Sequence, residues 1–405
     1  MVRRSTARTG LDDLSRGTNQ TGVRLYNERL VLSLIRRHGS LPKADIARRT
    51  GLSPQTISTI ANSLEDDGIL LRQQPLRGKV GQPLVPYALN PRGAFFLGLK
   101  IGRRSSDVVL MDFAGTVLDR IHQPHPYPTP HIIRTLAQRG IDELTTGLND
   151  IERRRIAGCG IASPFELWNW ESQLGAPPDV LEQWRKADIK HDIADISPWP
   201  VYFHNDGTAA CAAELVLGHG QHGDDFLYIF LGSFIGGGVV LNGHLFPGRT
   251  GYGGAIGPLP VPNGQGGFQQ ILRSASIYVL AEKLSARGID PQVLWREPGV
   301  WGELGQPLEQ WIADAAQSLA IAAVSAVSII DFRSVVIDGA FPQSVRAALV
   351  SATQAELARF DLQGLAPFTI SEGTIGFGAR EIGGACLPLL ANFTQDREVL
   401  FKENL

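Results

Sequence analysis

The sequence has few cysteines and no long run of apolar residues. Its 405 residues include three cysteines, whose odd number and wide spacing fit neither a disulfide framework nor a zinc site. The sequence contains no run of about 18 consecutive apolar residues, which a transmembrane helix would need. Residues 1–17 also lack the apolar stretch of a secretory signal. These absences predict a cytoplasmic protein with no membrane partner and with reduced core thiols at Cys159, Cys211 and Cys386.

Charge of the two signs is unevenly distributed along the chain. The formal net charge is −2, yet residues 1–90 contain 14 lysines and arginines against 7 acidic residues, whereas the remainder contains 24 against 33. A basic segment joined to an acidic body indicates that the first ~90 residues contact a polyanion. A solvated basic tail would produce the same asymmetry, so charge alone does not decide. The length predicts two or three domains.

Residues 21–90 carry the pattern of a winged helix-turn-helix domain, behind a disordered arm at residues 1–20. Apolar residues at helical spacing predict one helix from Arg24 to His38 and a second over Lys43–Thr50. A glycine turn follows, and Ser53 with the proline after it is suited to cap and open a third helix. Glycine in a short turn between two helices is typical of the helix-turn-helix motif.

The third helix is predicted to contact DNA. Ile57, Ile60 and Leu64 face inward at helical spacing, which leaves short polar side chains on the opposite face, suited to base edges and phosphates in a major groove. The candidates for DNA contact at this helix are Ser53, Gln55, Thr56, Ser58, Thr59 and Asn62. A winged helix used only for protein contacts is the alternative interpretation.

Two short strands are expected after the third helix, at Ile69–Gln73 and Leu84–Leu89. The basic loop between them, residues 76–83, would form the wing. Arg77 and Lys79 in this loop are the candidates for contacts beside the major groove, because cationic side chains neutralise phosphates.

The most informative stretch of the chain is residues 204–258. A buried strand, Val201–Phe203, ends at the polar pair Asn205 and Asp206, and a small-residue helix follows. Two more apolar strands are predicted further on, separated by the glycines Gly236–Gly238. Polar groups at the carboxyl end of a strand, with glycines that let backbone approach closely, indicate a small-ligand site. A core strand with ordinary loops is the alternative.

This combination resembles the ROK family of sugar kinases and sugar-responsive repressors. Members carry a strand that ends in Asn-Asp, a small-residue helix that ends in Glu, and a later segment G-x-x-G-x-A-G-E-I-G-H. The positions that match here are Asn205, Asp206, Ala209, Ala210, Ala213, Glu214, Gly248, Gly251, Gly254, Ile256 and Gly257. The resemblance extends from about Val23 to the C-terminus.

The resemblance implies an α/β fold in which residues 91–405 form a two-lobed, actin-like domain. Three strands, a helix and a fourth strand are predicted after Gly93, and this order recurs after Val201. The first set is predicted at Phe95–Ile101, Asp107–Asp112, Thr116–Ile121, about Ile132–Leu148 and Arg155–Ala162, and long helices are predicted at Gly266–Lys283 and Leu308–Ile330. Trp168, Trp170, Trp184 and Trp199 are expected to cluster between the halves.

Several positions depart from the pattern of the family's kinases. Those enzymes carry D-x-G-G-T in the first hairpin, and here Lys100 replaces the aspartate while Arg103 and Arg104 replace small residues. Asp338 replaces the first glycine of a later Gly-Gly pair. A chain without the metal-organising carboxylate loses a central part of phosphoryl transfer. We therefore expect no kinase activity and no cofactor, and we interpret Asp206, which matches the kinases' general base, as a ligand contact.

The family's zinc motif and two of its sugar-binding glutamates are also replaced. Residues 262–269 contain no cysteine, and Pro258 stands where the motif has histidine, so no metal is expected. Ala255 and Gln269 stand where the family has Glu. The candidates for ligand binding are Ser163, Glu166, Trp168, Asn205, Asp206, Gly237 and Gln269. Trp168 or Trp170 could stack on a sugar face, although packing is the commoner role of tryptophan.

The leading hypothesis is a transcriptional regulator, a probable repressor of carbohydrate genes in this family, controlled by a sugar or sugar derivative in the cleft. The expected partners are operator DNA with an inverted repeat, the carbohydrate effector, and a second copy of the chain in a homodimer or a dimer of dimers. One alternative is a ROK kinase with a fused DNA-binding head. Another is a regulator controlled by a protein partner.

Overall fold

The computed structural model describes residues 20–75, 84–170, 176–296 and 298–395. The expected arm, apart from Gln20, lies outside the described residues. So does the predicted wing loop with Arg77 and Lys79.

The N-terminal domain, here called the head, has three helices and a small antiparallel sheet. The helices are α1 (Gln20–His38), α2 (Lys43–Thr50) and α3 (Pro54–Asp66). The strands are β1 (Ser40–Pro42), β2 (Leu70–Arg72) and β3 (Pro86–Leu89), in the order β1-β3-β2. The predicted three helices and two strands occur in the expected order, with α1 and both strands beginning or ending a few residues from the expected positions, whereas β1 was not predicted.

Local sequence accounts for the turn between α2 and α3. Gly51 ends α2 in the left-handed region, at φ 71°, which glycine adopts without a steric penalty. Ser53 then caps α3, because its side-chain oxygen accepts a hydrogen bond from the Thr56 amide at 3.1 Å. The apolar face of α3, including Ile57 and Leu64, is buried in the head as predicted.

The body of the chain contains two five-stranded sheets with the same topology. The first has the order β6-β5-β4-β7-β8, and the second has β11-β10-β9-β14-β15. In each sheet three strands are antiparallel and the other two join in parallel. The strands are β4 (Phe95–Ile101), β5 (Ser105–Asp112), β6 (Val117–Pro124), β7 (Ile156–Ser163), β8 (Val201–Asn205), β9 (Phe226–Leu231), β10 (Ile235–Leu241), β11 (His244–Leu245), β14 (Ser334–Gly339) and β15 (Thr369–Glu372), and a separate hairpin contains β12 (Pro260–Pro262) and β13 (Phe268–Gln270).

The helices surround and separate these sheets. They are α4 (Pro130–Leu144), α5 (Asp150–Arg154), α6 (Pro178–Lys186), α7 (Ile189–Ala194), α8 (Asp206–Leu217), α9 (Leu272–Ala275), α10 (Ile277–Ser285), α11 (Val293–Arg296), α12 (Gln306–Ile330), α13 (Gln343–Leu357) and α14 (Ala379–Phe393). The single helix expected over Ile132–Leu148 is therefore two, α4 and α5. Asn149 starts the second of them with a capping box that involves Glu152.

Helices α8 and α14 pack together between the two sheets. Gly383 of α14 lies so close to the Ala209 carbonyl of α8 that a Cβ at this glycine would overlap the carbonyl. Gly98 of β4 is equally close to α14. Small residues on these elements therefore allow the helices to lie deep in the molecule, at the boundary between the lobes. The three cysteines are buried, as predicted, and burial raises the pKa of Cys159 and of Cys386 to about 12.

The glycine run is not the loop that the sequence indicated. Gly236–Gly238 lies inside β10, which pairs with β9 along its length. The reason is the packing of α8 on this strand, because a Cβ on Gly238 would overlap the Cβ of Cys211. The tight turn expected at Asn242 and Gly243 is present, with both residues at positive φ between β10 and β11.

Gly238→Ala is expected to destabilise the folded protein by about 1–3 kcal/mol, because the new methyl group would force α8 away from β10. The matched control is Gly236→Ala, whose Cβ would meet only the Gly207 Cα, at 3.9 Å. Thermal unfolding of both variants checks the prediction. Equal melting temperatures for the two would show that α8 is not in tight contact with the strand.

The long helix predicted over Gly266–Lys283 is wrong. This segment contains β13, α9 and α10, and extended backbone at Ser276 separates the two helices. Tertiary hydrogen bonds hold this break. The Ser276 hydroxyl accepts from the Ile235 amide at 2.9 Å, and its carbonyl accepts from the Trp311 indole at 3.0 Å.

Among the described residues, α12 is the helix that is long and apolar enough, by length and composition alone, to cross a membrane, although its apolar residues are not consecutive. Core helices of globular domains meet the same criterion. Trp311, Ala315 and Leu319 on this helix are buried in the core of the second lobe, while Ile329 near its end is 79% exposed.

Candidate DNA-binding face and ligand cleft

The exposed face of α3 presents the polar side chains that the sequence predicted. Gln55 and Thr59 are exposed one turn apart, and the Thr59 hydroxyl donates to the Gln55 carbonyl at 3.1 Å. Both side-chain ends are therefore available to a groove. Ser53 and Thr56 lie at the start of the same helix, where their hydroxyls are 2.8 Å apart.

Lys43 belongs to this face, which sequence analysis missed. Its Nζ donates to Asn62 Oδ1 at 2.8 Å and to Ser58 Oγ at 3.4 Å, and it lies 5.2 Å from the centre of the Tyr87 ring. Ser58 and Asn62 are thus already bonded to a cation. The signal was a lysine at the first position of α2, which is the first helix of the helix-turn-helix.

The predicted polar pair lies at the carboxyl edge of the first sheet. Ser163 ends β7 and is in register with Asn205, which ends β8, so the structure brings these two candidates together. Asn205 Oδ1 accepts from the Gly207 amide at 3.0 Å and starts α8. Asp206 is the first residue of that helix, where the helix dipole favours a negative charge.

Asp206 pairs with one arginine and interacts electrostatically with a second. Arg380, near the start of α14, places Nη1 3.4 Å from Asp206 Oδ2. Burial lowers the pKa of Arg103 to about 10, with Asp206 acting in the opposite direction and Arg380 adding to the decrease. Arg103 therefore stays charged at neutral pH. Sequence analysis noted Arg103 only because it replaces a small residue of the kinases' D-x-G-G-T motif. It missed Arg380, which could have been noticed as a lone arginine in the small-residue segment that opens α14.

Aromatic rings of the second lobe cover these arginines. The Arg103 guanidinium carbon lies 4.2 Å from the centre of the Phe234 ring, and that of Arg380 lies 5.2 Å from the centre of the Phe230 ring. Such cation–π contacts hold a guanidinium plane in place. Arg103 thus joins the first lobe to the second.

Glu166 lies at the mouth of the cleft and bridges the two lobes. It adopts a positive φ of 54°, which is uncommon for a residue with a side chain. Its carboxylate accepts from the Tyr252 hydroxyl at 3.2 Å and from Asn169 Nδ2 at 2.8 Å. The Phe165 and Tyr252 rings also meet edge to face, with centres 4.8 Å apart. The two loops therefore form a contact across the mouth.

Two other ligand candidates are placed differently. Gly237 lies against the residue after Asp206, since its amide nitrogen is 2.6 Å from the position of a Cβ on Gly207. Gln269 lies on β13 opposite Val261. Within the part of the chain that the structure describes, no hydrogen bond joins Gln269 to Asn205 or Asp206.

The tryptophans do not form the expected cluster between the halves. Trp184 is buried in the core of the first lobe, where its indole donates to the Pro128 carbonyl at 3.1 Å, and Trp199 packs against the same core. Trp168 also packs there, with the Arg185 guanidinium 5.2 Å from its ring centre. The side chain of Trp170 lies outside the described residues. Packing explains the tryptophans that are described.

Known proteins were compared with the whole chain. The model of the ROK family matches residues 96–271, and a model of winged helix-turn-helix DNA-binding domains matches residues 24–70. The chain carries a ROK domain behind a winged helix-turn-helix head.

The relatives with curated names include regulators. The chain is 25% identical to the xylose repressor of Bacillus subtilis over 243 residues, which is 60% of this chain and 62% of that protein. It is 22% identical to the N-acetylglucosamine repressor of Escherichia coli O6:H1 over 242 residues, or 59% and 58% of the two chains. It therefore spans less than two thirds of these regulators. It is 24% identical to the uncharacterized protein y4fQ of Sinorhizobium fredii over 91% of both chains.

Solved structures give the same fold. A ROK family transcriptional regulator, described as a homolog of the MLC protein of E. coli, matches with a TM-score of 0.65 and 20% identity over 94% of this chain and 99% of that one. A ROK glucokinase from Streptomyces griseus, in complex with glucose and AMPPNP, matches 73% of this chain and 99% of its own with a TM-score of 0.57 and 20% identity. The kinase likeness thus leaves out about a quarter of this chain.

The ROK domain holds an ion-pair cluster at the end of its first hairpin. Lys100 Nζ lies 2.8 Å from Asp107 Oδ2, and His122 Nδ1 lies 2.6 Å from Asp107 Oδ1. Burial raises the pKa of Asp107, but Lys100 and His122 outweigh this effect and hold it below its usual range. Lys100 is therefore neutralised by its neighbour on β5.

A second buried carboxylate lies near the end of β14. Asp338 accepts from the Tyr228 hydroxyl at 2.9 Å, from Arg346 Nη1 at 2.8 Å and from the Gly376 amide at 2.9 Å. The charge is fully paired, since an ion pair and several hydrogen bonds offset its burial.

The segment that the sequence resemblance aligns with the ROK zinc motif does not fit a metal here. Asn263 Oδ1 closes this loop by accepting from the Gln265 and Gly267 amides, at 2.9 and 3.0 Å. Across the described ranges, no group of three or more His, Cys, Asp or Glu side chains is arranged to hold a metal ion.

Proposed function

We propose that this protein is a DNA-binding transcriptional regulator whose α3 helix reads an operator and whose cleft binds a small carbohydrate-type effector. The observation that carries the proposal is a helix-turn-helix head, with Gln55 and Thr59 exposed, docked directly on a ROK domain. Relatives with regulator names support it. We further propose that it represses carbohydrate genes in the cytoplasm, as a homodimer or dimer of dimers on an inverted repeat.

The test combines a ligand screen with operator binding. A panel of carbohydrates is screened by thermal shift, because a ligand that binds the folded state raises its melting temperature. The same ligand must then change the affinity of the full-length protein for its operator. Binding without any effect on the operator complex would contradict effector control, and would favour the alternative in which a protein partner controls the regulator.

Side chains of α1 attach the head to the body. Arg36 Nη1 donates to the Phe113 carbonyl at 2.8 Å, and its guanidinium carbon lies 4.9 Å from the centre of the Phe113 ring. That ring packs on Phe393, at the end of α14, with ring centres 4.8 Å apart. Just beyond the helix, the Gln395 amide donates to Ser33 Oγ at 3.4 Å.

Helix α14 thus connects the cleft to the head. Arg380 in its first turn pairs with Asp206, and Phe393 at its end lies under α1 through Phe113. The helix has 15 residues, or about 22 Å at 1.5 Å per residue. A ligand that binds Asp206 and pulls Arg380 towards itself would shift an element that carries the head, and so alter how two heads meet an operator.

Arg36→Met is expected to weaken the response to effector while the unliganded protein keeps its operator affinity. The substitution keeps most of the stem and removes one hydrogen bond, typically ~1 kcal/mol. The matched control is Arg139→Met, because Arg139 on α4 forms an exposed pair with Glu143 of its own helix, at 3.0 Å. Fluorescence anisotropy with an operator duplex measures both. An unchanged effector response in Arg36→Met would contradict transmission through this contact.

A ROK kinase with a fused head is the second candidate, and the phosphate-binding elements argue against it. Lys100, in place of the kinases' metal-organising aspartate, is bonded to Asp107. Arg103, in place of a small residue of those kinases, packs on the Phe234 ring, and Asp338 puts a buried carboxylate where they have glycine. Phosphate is bound by backbone amides and cations, and a carboxylate repels it.

We therefore expect no ATP-dependent phosphorylation of common hexoses. The measurement is a coupled assay of ADP release with magnesium, ATP and a hexose panel, run beside a ROK kinase as positive control. Turnover of about 1 per second or more, an ordinary enzyme rate, would contradict the expectation.

A further inference from the structure

Lys43 lies at the first position of α2 and directs its ammonium group onto α3. Its Nζ donates to Asn62 Oδ1 at 2.8 Å and to Ser58 Oγ at 3.4 Å. The helix dipole disfavours a cation at the N-terminus of a helix, so α2 itself gains nothing from a lysine at this position. The contacts with α3 account for it.

The ring of Tyr87 holds the ammonium group in this position. Tyr87 on β3 is buried, with 3% of its surface exposed, and its ring centre lies 5.2 Å from Lys43 Nζ. The Tyr87 hydroxyl donates to Glu65 Oε2 at 3.4 Å, and the same oxygen accepts from Arg72 Nε at 2.9 Å. A cation–π contact with a buried ring adds to the two hydrogen bonds of Lys43. The lysine is therefore part of the packed head.

The orientation of the Asn62 amide follows from the chemistry of its partner. An ammonium group has donors only, whereas an amide side chain has an oxygen that accepts and a nitrogen that donates. The atom that faces Lys43 is therefore Oδ1, and the Nδ2 hydrogens point away from the ammonium group. Asn62 is exposed and lies seven residues after Gln55 and three after Thr59, on the same face of α3.

Lys43 and Asn62 together present donors and a positive charge on this face. In the major groove guanine shows two acceptors, N7 and O6, whereas adenine shows the acceptor N7 beside an amino donor. An asparagine with a free oxygen bonds adenine through both ends of its amide. Because an ammonium group lies 2.8 Å from the Asn62 oxygen, the amino group of adenine would meet a positive charge there. The O6 and N7 atoms of guanine would be attracted to it.

We propose that Lys43 makes Asn62 a reader of guanine, so that each operator half-site carries a guanine facing the second half of α3. This inference rests on the proposed function and names a specificity-determining residue outside the recognition helix. The first residues of such a helix contact the base edges. Asn62 therefore reaches a base only once Gln55 and Thr59 have seated α3 in the groove, and its preference adds to theirs.

Enrichment of duplexes from a random pool tests the inference, because it needs no known operator. Full-length wild type, Lys43→Met and Arg48→Met are compared position by position. In the wild type we expect guanine over adenine at one position of each half-site, by roughly five- to a hundredfold. Lys43→Met frees the Asn62 oxygen, so adenine should replace guanine there while the other positions stay the same. Arg48→Met removes an exposed cation, paired with Asp45 on the same helix, and should keep the guanine.

Asn62→Asp is a second test of the same contact. The carboxylate keeps the bond to Lys43 and loses the Nδ2 donors, so the guanine preference should disappear at the position that changes in Lys43→Met. Thermal unfolding identifies a misfolded Lys43→Met protein, in which case Asn62→Asp, on the exposed face, decides alone.

Two results would overturn the inference. One is an unchanged base preference in the folded variants, and the other is a Lys43→Met protein that binds all duplexes more weakly by the same factor, as loss of a phosphate contact would cause. Both would leave the regulator proposal standing, whereas a pool that stays random with the wild type would contradict both proposals.

Discussion

Asp206→Ala is expected to remove the response to the cleft ligand. A charged acceptor bonded to a ligand hydroxyl is typically worth ~1.5–3 kcal/mol, which is roughly ten- to a hundredfold in affinity.

Operator binding by the unliganded Asp206→Ala protein should survive, because α3 lies in another domain. In cells the variant would behave as the ligand-free regulator does. Calorimetry measures the affinity of the variant for the effector, and an operator shift assay measures its DNA binding. The control is Asp142→Ala, on the surface of α4. Unchanged sugar affinity in Asp206→Ala would contradict the proposed site, whereas loss of operator binding without ligand would indicate a structural role for Asp206.

The double substitution Gln55→Ala and Thr59→Ala is expected to abolish sequence preference. Each good contact with a base edge is typically worth ~1–3 kcal/mol of discrimination, so losing both would bring the operator close to nonspecific DNA. Binding to unrelated duplexes should change little, since phosphate contacts supply that affinity. The control is Gln138→Ala in the body.

Competition between operator and unrelated duplex measures this preference at several salt concentrations. Retained discrimination in the double variant would place sequence reading outside α3. A loss of all DNA binding would indicate misfolding only if thermal unfolding also changed. With a normal melting temperature, it would mean that Gln55 and Thr59 position the head on the backbone.

The elements that sequence predicted well are those specified by neighbouring residues. Ser53 with its proline and the glycine before it determine the turn into α3, and the Asn242–Gly243 turn follows from two residues that tolerate positive φ. The end of β8 at Asn205, directly before Asp206, was predicted because polar residues interrupt an apolar run there. Such signals need no knowledge of distant parts of the chain.

The predictions from sequence were wrong or incomplete where a contact between residues far apart in the chain determines the structure. Gly238 lies within a strand because Cys211 of α8 packs on it, and Ser276 breaks a helix because Ile235 and Trp311 bond to it. Arg380 is 174 residues from Asp206 in sequence, and only the packing of α14 against α8 brings them together. No local pattern carries that information.

Enrichment from a random pool of DNA duplexes with the full-length protein tests the central claim most directly. We expect repeated selection to yield an inverted repeat, with two half-sites about one helical turn or a multiple of it apart. The double variant at Gln55 and Thr59 should not enrich that sequence. A pool that stays random with the wild-type protein, at a salt concentration where it still binds DNA, would contradict the assignment of this chain as a sequence-specific regulator.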